Sequence, residues 1–241
     1  MIVLRSMHKE WLSNSFLVAD QPGGYGVIVD AGAPIEPLMG EIEKLDLGIS
    51  HVVLTHEHQD HTVHMVELQE RYGAEPVTPS MVEHGYEVVS GRLTLRALAT
   101  PGHCTPHFSW LGFSGDASGA PDGVFTGDVL FKGSIGGTVN GGPNGFAELK
   151  ASLLEQLLTL PPETIAYPGH MMETTIGREN EHNPFVRALR GEIELGDEPV
   201  TVAGQHATLL LMAPDYVGKK AWVRFADGRD AIVGGGMVTR A

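Results

Sequence analysis

Residues 55 to 61 read Thr-His-Glu-His-Gln-Asp-His, and this heptapeptide decides how the rest of the chain is read. It gathers His56, His58, Asp60 and His61 into one short stretch. Imidazole nitrogen and carboxylate oxygen are the donors that borderline divalent metals prefer. Ahead of it, Ile49 to Leu54 is apolar and β-branched and predicts a buried strand. Behind it, His61 to Tyr72 sets Val63, Val66 and Leu68 among charged residues and predicts a helix. The heptapeptide then falls at the carboxyl edge of a sheet, where ligand sites of open α/β folds gather. His56 and His58, two apart in an extended turn, point the same way. Asp60 and His61 open the helix, where the dipole favours a carboxylate. A polar run before a helix is usually a cap, and most single histidines are solvated or satisfied within the fold. Three histidines and an aspartate in this alternation exceed what capping needs.

The chain has 241 residues, enough for one full domain and a small appendage. Its formal net charge of −14 argues against a nucleic-acid partner, which calls for a basic face. Bound cations can still make a cleft positive inside an acidic protein, so an anionic substrate stays open. No apolar run approaches a membrane span, and Met1 to Arg5 lacks the apolar core of a signal peptide. The expected compartment is the cytoplasm, in keeping with the lone Cys104, which can form no internal disulfide.

Strands are expected at Val3 to Arg5, Ser15 to Val18 and Val27 to Asp30, with a hairpin at Pro22-Gly23-Gly24. A short helix over Pro37 to Leu45 leads to the strand before the heptapeptide. Further strands are expected at Val77, Leu93 to Leu98, Phe108 to Leu111, Val124 to Thr126 and Thr164 to Tyr167. A longer helix should cover Ala147 to Leu160 and stop at Pro161-Pro162. Thr175 to Arg190 reads as helical, kinked or restarted at Pro184. Past Gly191 the pattern changes to short β-like runs between turns, from Val200 to the end. This suggests two units: residues 1–190, and a small barrel-like β module over 198–241, for which an SH3-like form is one candidate.

Three later segments repeat one grammar, an apolar strand, a glycine turn and then a polar side chain. Ala97 to Gly102 delivers His103, Val124 to Gly127 delivers Asp128, and Ile165 to Gly169 delivers His170. Glycine lets the backbone turn sharply where a β-carbon would clash. Singly each is an ordinary turn; with the heptapeptide they make a candidate ligand set.

In this order the heptapeptide, Thr-Pro-Gly-His, Phe-Thr-Gly-Asp and Tyr-Pro-Gly-His resemble the metallo-β-lactamase superfamily, and within it the glyoxalase II-like hydrolases. Phe125 to Gly137, Thr174 to Glu179 and Asn183-Pro184-Phe185 resemble the same branch. The resemblance covers about residues 1–190 and implies an α/β fold, an αββα sandwich with its metals along one edge. It implies a first ion on His56, His58 and His103, a second on Asp60, His61 and His170, and Asp128 bridging them. Zinc is the first expectation, with iron or manganese suited to the same donors. It further implies hydrolysis of an acyl-thioester by a metal-bridging hydroxide, the ions about 3.5–4 Å apart polarising the carbonyl under attack. Asp60 or Asp128 would steer the nucleophile's proton.

The chain also departs from that branch. The β module stands where glutathione-type enzymes carry a helical region. Met171-Met172-Glu173 follows His170 in place of a segment bearing a tyrosine, and Gly137 replaces an arginine, leaving Lys132 as an anion contact. Cys104-Thr105-Pro106-His107 stands where Thr-Pro-Gly is commoner. The carrier thiol is therefore open, glutathione included. Persulfide dioxygenase, with a single iron on two histidines and an aspartate, is the alternative from the same superfamily. Lactonases generally carry a tyrosine where this chain has Phe131, and zinc β-lactamases a cysteine where it has Asp128. A non-catalytic protein acting through the β module is disfavoured by the complete ligand set. Cys104 reads as a buried, inert side chain, His64 and His107 as packed or solvated with support of the ligands as their alternative, and Asp30 as a candidate support for a ligand histidine.

Overall fold

The computed structural model describes residues 1–115 and 117–240, so Ala241, the end of the expected β module, lies outside the described residues. The first sheet takes β1 (Ile2–Met7), β2 (Asn14–Ala19), β3 (Tyr25–Val29), β4 (Gly48–Val53) and β5 (Glu75–Val77) in that order. β1, β2 and β3 run antiparallel; β3, β4 and β5 run parallel. The second sheet is built from β6 (Glu87–Ser90), β7 (Leu93–Ala99), β8 (Phe108–Ser114) and β9 (Gly123–Gly127). A small hairpin, β10 (Leu130–Phe131) and β11 (Ser134–Ile135), interrupts it before β12 (Ile165–Pro168) and β13 (Thr174–Thr175) complete the order β13-β12-β9-β8-β7-β6.

Strand alternation explains why both sheets are buried on both faces. In β2, Phe16 and Val18 join Val53, Leu95, Trp110 and Phe125 between the sheets. Leu17 and Ala19 point the other way, to a core shared with α1 (Glu36–Lys44) and α2 (Met65–Tyr72) through Leu38, Ile42 and Leu68. The outer face of the second sheet, with Leu111, Val124 and Ala166, is covered by α3 (Gly145–Ala151), α4 (Ile176–His182) and α5 (Pro184–Leu189). The result is the αββα sandwich.

Two helical expectations are corrected. The helix expected from His61 begins at Met65; Gln59 to His61 form one separate turn. The end of β3 causes this, because Ala31 N donates to His61 O and His64 N donates to Ala31 O, pulling the chain out of helical register. Val63 and Val66 are exposed, and Leu68 alone of the three predicted apolar positions is buried. The helix expected to Leu160 leaves the α path after Ala151 for a wide π turn over Ser152–Gln156 and a tight turn at Leu157–Thr159. Those changes of pitch keep Leu149, Leu153, Leu157 and Leu158 together in one core. The restart at Pro184 occurs as expected, with Asn183 accepting from Phe185 N and Val186 N as the cap.

Residues past Glu198 form a third, antiparallel sheet: β14 (Glu198–Val202), β15 (Gln205–Pro214), β16 (Lys219–Phe225), β17 (Asp230–Gly234) and β18 (Val238–Arg240), ordered β17-β16-β15-β14-β18. One face holds its own core around Val200, Leu209 and Val223. Leu210, at a bulge in β15, joins Ala213, Trp222 and Ile232 on the core under α3 and α5. No helix among the described residues is long and apolar enough to cross a membrane.

Candidate metal centre

All seven candidate ligands converge at one edge of the sandwich. β4 ends just before Thr55, and the extended backbone of His58 sets its ring beside that of His56. β9 ends at Gly127 and presents Asp128; β12 ends at Pro168 and presents His170. The His170 loop is clamped to β2: Asn14 N donates to Gly169 O, and Asn14 Nδ2 donates to the carbonyls of Pro168 and Met171 at 2.9 Å each. Gly169 is required there, because a β-carbon would run into the Asp128 carboxylate and the His61 ring.

The donors fall into two groups. His58 Nδ1 lies 3.0 Å from His56 Nε2 and 3.1 Å from His103 Nε2. Asp60 Oδ2 lies 3.6 Å from His61 Nε2 and 3.5 Å from His170 Nε2. Asp128 stands between, with Oδ1 3.5 Å from His61 Nε2 and Oδ2 3.3 Å from His170 Nε2 and 3.7 Å from His103 Nε2. His61 Nε2 and Asp128 Oδ1 are buried without a hydrogen-bond partner among the described residues. Such atoms are costly unless something takes their lone pairs. A divalent ion fits both, so the donor set suits the metals that the sequence predicts.

The outward ring nitrogens are held from elsewhere. His61 Nδ1 is 3.0 Å from Asp30 Oδ2, His103 Nδ1 is 2.8 Å from Gly137 O and His170 Nδ1 is 3.0 Å from Trp11 O. Nδ1 donates to each oxygen, which leaves Nε2 as a lone-pair donor facing inward. Asp30 therefore supports a ligand histidine, and it also accepts from Thr55 N and Thr55 Oγ1 at 2.8 and 2.9 Å. His107 takes the supporting position that was the alternative to a packed or solvated one: it is buried, and its Nε2 accepts from Asp128 N at 3.2 Å. His64 pairs with Glu67 at 3.3 Å, away from the cluster.

The electrostatics follow from this crowding. Burial opposes charging His61, but the Asp128 and Asp30 carboxylates override it and hold its pKa up, at about 9. Burial and the neighbouring His103 push His107 down to about 3 against the pull of Asp128. Burial would raise Asp128, but the His170 and His61 imidazoles beside it hold it well below the carboxylate range. Burial, with Asp128 and Glu57, pushes the Cys104 thiol up to about 12, and the side chain, expected to be buried, is half-buried beside the site.

The cleft over the donors measures about 630 Å³. Part of its wall has no counterpart in the sequence motifs: Asp215, Tyr216 and Lys220 of the third sheet line it beside His58, Asp60 and His170. The trace of Lys220 in the sequence was slight, a Lys-Lys pair heading a mostly apolar strand, and Asp215 and Tyr216 lie in the turn before it. Lys132, expected as an anion contact, lines an adjoining cavity and not the metal cleft.

Comparison with known proteins agrees with this class of site. Residues 8–87 match the family model of the metallo-β-lactamase superfamily. An uncharacterised protein of Aquifex aeolicus is 31% identical over 204 residues, spanning 73% of this chain and 92% of that protein. The hydroxyacylglutathione hydrolase GloC of Haemophilus influenzae is 29% identical, spanning 67% of this chain and 87% of its own. The crystal structure of ETHE1 from Myxococcus xanthus superposes with a TM-score of 0.67 at 33% identity, covering 78% of this chain and 85% of that one. Fold and donor set thus define the class of metal-dependent hydrolases. The chain belongs to the metallo-β-lactamase superfamily.

Proposed function

We propose that the chain is a dinuclear metal-dependent hydrolase that cleaves an acyl-thioester. The observation that carries this reading is the double donor set, two groups of three joined by Asp128. His56, His58 and His103 would hold one ion, Asp60, His61 and His170 the other, and Asp128 would serve both. Zinc suits these nitrogen and oxygen donors first, iron and manganese next. When bound, such ions polarise a carbonyl and supply a nucleophile at neutral pH.

The chain's own residues do the remaining work. Asp30 and the carbonyls of Trp11 and Gly137 keep three imidazoles turned inward before substrate arrives. Asp128 is buried and ionised, so it contributes a fixed negative charge between the two groups. Asp60 is partly open to the cleft, its side chain 29% exposed, which supports a role for it in steering the nucleophile's proton. Trp11 and the Asp215–Tyr216 turn narrow the cleft around a small-molecule substrate. The similarity to a hydroxyacylglutathione hydrolase supports a thioester as the scissile group.

The test is elemental analysis together with a panel of acyl-thioesters, esters and lactones, comparing wild type with Asp128→Ala. The expected result is thioester turnover that requires metal and falls by orders of magnitude in the variant. Turnover of esters or lactones without thioesters would move the substrate class. One iron per chain with oxygen uptake would replace the hydrolase by the persulfide dioxygenase reading.

A further inference from the structure

One wall of the metal cleft is built by the sheet farthest from the ligand motifs. The turn between β15 and β16 carries Asp215 and Tyr216, and Lys220 follows near the start of β16. The Tyr216 ring lies flat on the His170 imidazole, 4.6 Å away at 9°. The Lys220 ammonium sits 4.9 Å from the Phe131 ring and 5.2 Å from that of Tyr216, with the residue 6% exposed.

Lys220 Nζ donates to Ile135 O at 2.8 Å and lies 3.1 Å from Asp215 Oδ2. An ammonium has three N–H donors, so these two oxygens leave one to spare. Asp215 spends Oδ2 on the lysine, and its Oδ1 is buried without a hydrogen-bond partner among the described residues. A desolvated pair with one donor and one acceptor in hand is costly unless a ligand fills both. Both residues line the metal cleft. Asp215 and Tyr216 also line a second cavity of about 370 Å³, which reaches Lys132, Met171, Met172 and Arg178. The two residues are therefore the shared partition between the space over the donors and a neighbouring space that a longer ligand would enter.

We propose that the Lys220–Asp215 pair reads the thiol carrier by taking a secondary amide close to the thioester sulfur, Lys220 Nζ donating to its carbonyl and its N–H donating to Asp215 Oδ1. The carrier then continues past Tyr216 into the second cavity. An alkyl carrier would leave both groups unmatched. A carboxylate would satisfy the lysine and set its charge against Asp215. A hydroxyl would have to serve both from one oxygen. This assignment rests on the thioester reading of the same cleft.

The test uses the metal-loaded full chain and three thioesters of one acyl group: of N-acetylcysteamine, of butanethiol and of 2-mercaptoethanol. Wild type should favour the amide-bearing thioester in kcat/KM. Lys220→Met should cut that preference by roughly tenfold or more, the loss expected when a buried charged group no longer meets its partner. Asp215→Asn and Tyr216→Leu give the same comparison should Lys220→Met fail to melt cooperatively. A general slowing on all three substrates with the preference intact would mean a structural role and overturn the proposal, as would an equal preference for the hydroxyl-bearing thioester. Absence of turnover on all three by wild type would sink the thioester reading alone. Calorimetric binding of S-butyl-N-acetylcysteamine, a thioether that cannot be hydrolysed, then decides the proposal: binding by wild type weakened in Lys220→Met supports it, and no binding by wild type overturns it.

Discussion

Asp30 Oδ2 lies 3.0 Å from His61 Nδ1, so a carboxylate at the end of β3 sets which nitrogen of a ligand histidine faces the metals. Asp30 has φ +56°, a left-handed conformation that asparagine shares readily, which makes Asp30→Asn a clean probe. The amide oxygen, at the Oδ1 position, can still accept from Thr55 N and from Thr55 Oγ1, 2.8 and 3.2 Å away, but the NH₂ at the Oδ2 position then confronts His61 Nδ1–H. Metal affinity should fall by about 10–100-fold, read by competition with a chelator. Unchanged affinity would show that His61 is oriented without Asp30.

The two donor groups should empty separately. His103→Ala and His170→Ala remove a ligand from opposite sides of Asp128. Each single variant should hold less metal than wild type by elemental analysis, and the double variant less again. If one substitution strips all the metal, the ions bind as one unit and the separate assignment fails.

Glycine substitutions should separate the site from the scaffold. A β-carbon on Gly32 would overlap the Asp60 carbonyl, so Gly32→Ala must displace the heptapeptide. We expect a loss of about 1–3 kcal/mol in denaturant melts, together with weaker metal binding. Gly40 lies within α1 with nothing near its missing β-carbon, and Gly40→Ala should gain about 0.5–1 kcal/mol.

Acid should destabilise the metal-free fold through His107. Burial holds its folded pKa at about 3, below the ordinary 6.5. Between those values the unfolded chain binds a proton that the native chain does not. Stability therefore falls as pH drops from about 6.5 towards 3. Asp128, also depressed, adds in the same sense at the lower end. His107→Gln keeps an acceptor for Asp128 N without titrating, so its Tm should depend less steeply on pH from 6.5 to 4. Parallel Tm profiles would assign the acid sensitivity elsewhere.

The third sheet should melt with the sandwich. Trp222 is 5% exposed in the core under α3, its ring centroid 5.0 Å from that of Phe146. Trp222→Ala should cost about 3–5 kcal/mol and lower a single cooperative transition. Two transitions, one unmoved, would show that the sheet folds independently.

Much of the site was legible because its signals are local. Each ligand follows a strand and a turn within a few residues, and strand, glycine and ligand are read from adjacent letters: Gly102 before His103, Gly127 before Asp128, Gly169 before His170. Other features were hidden because they depend on distant partners. The start of α2 is displaced by bonds from Ala31, and the pitch of the α3 segment yields to a core that collects four leucines.

By itself, then, the sequence determined the donor chemistry, which residue type and short-range spacing carry, and its resemblance to a known family implied the sandwich. Tertiary structure alone decided which nitrogen His103 and His170 offer, because Gly137 and Trp11 act through backbone carbonyls that every residue possesses and that leave no mark on the sequence. It alone decided, too, that Asp215, Tyr216 and Lys220 close the cleft. A turn and a lysine at a strand end count for little by themselves, and they acquire meaning when packing of Trp222 and Leu210 against the sandwich core carries them, desolvated, to the edge where His170 and Asp128 stand.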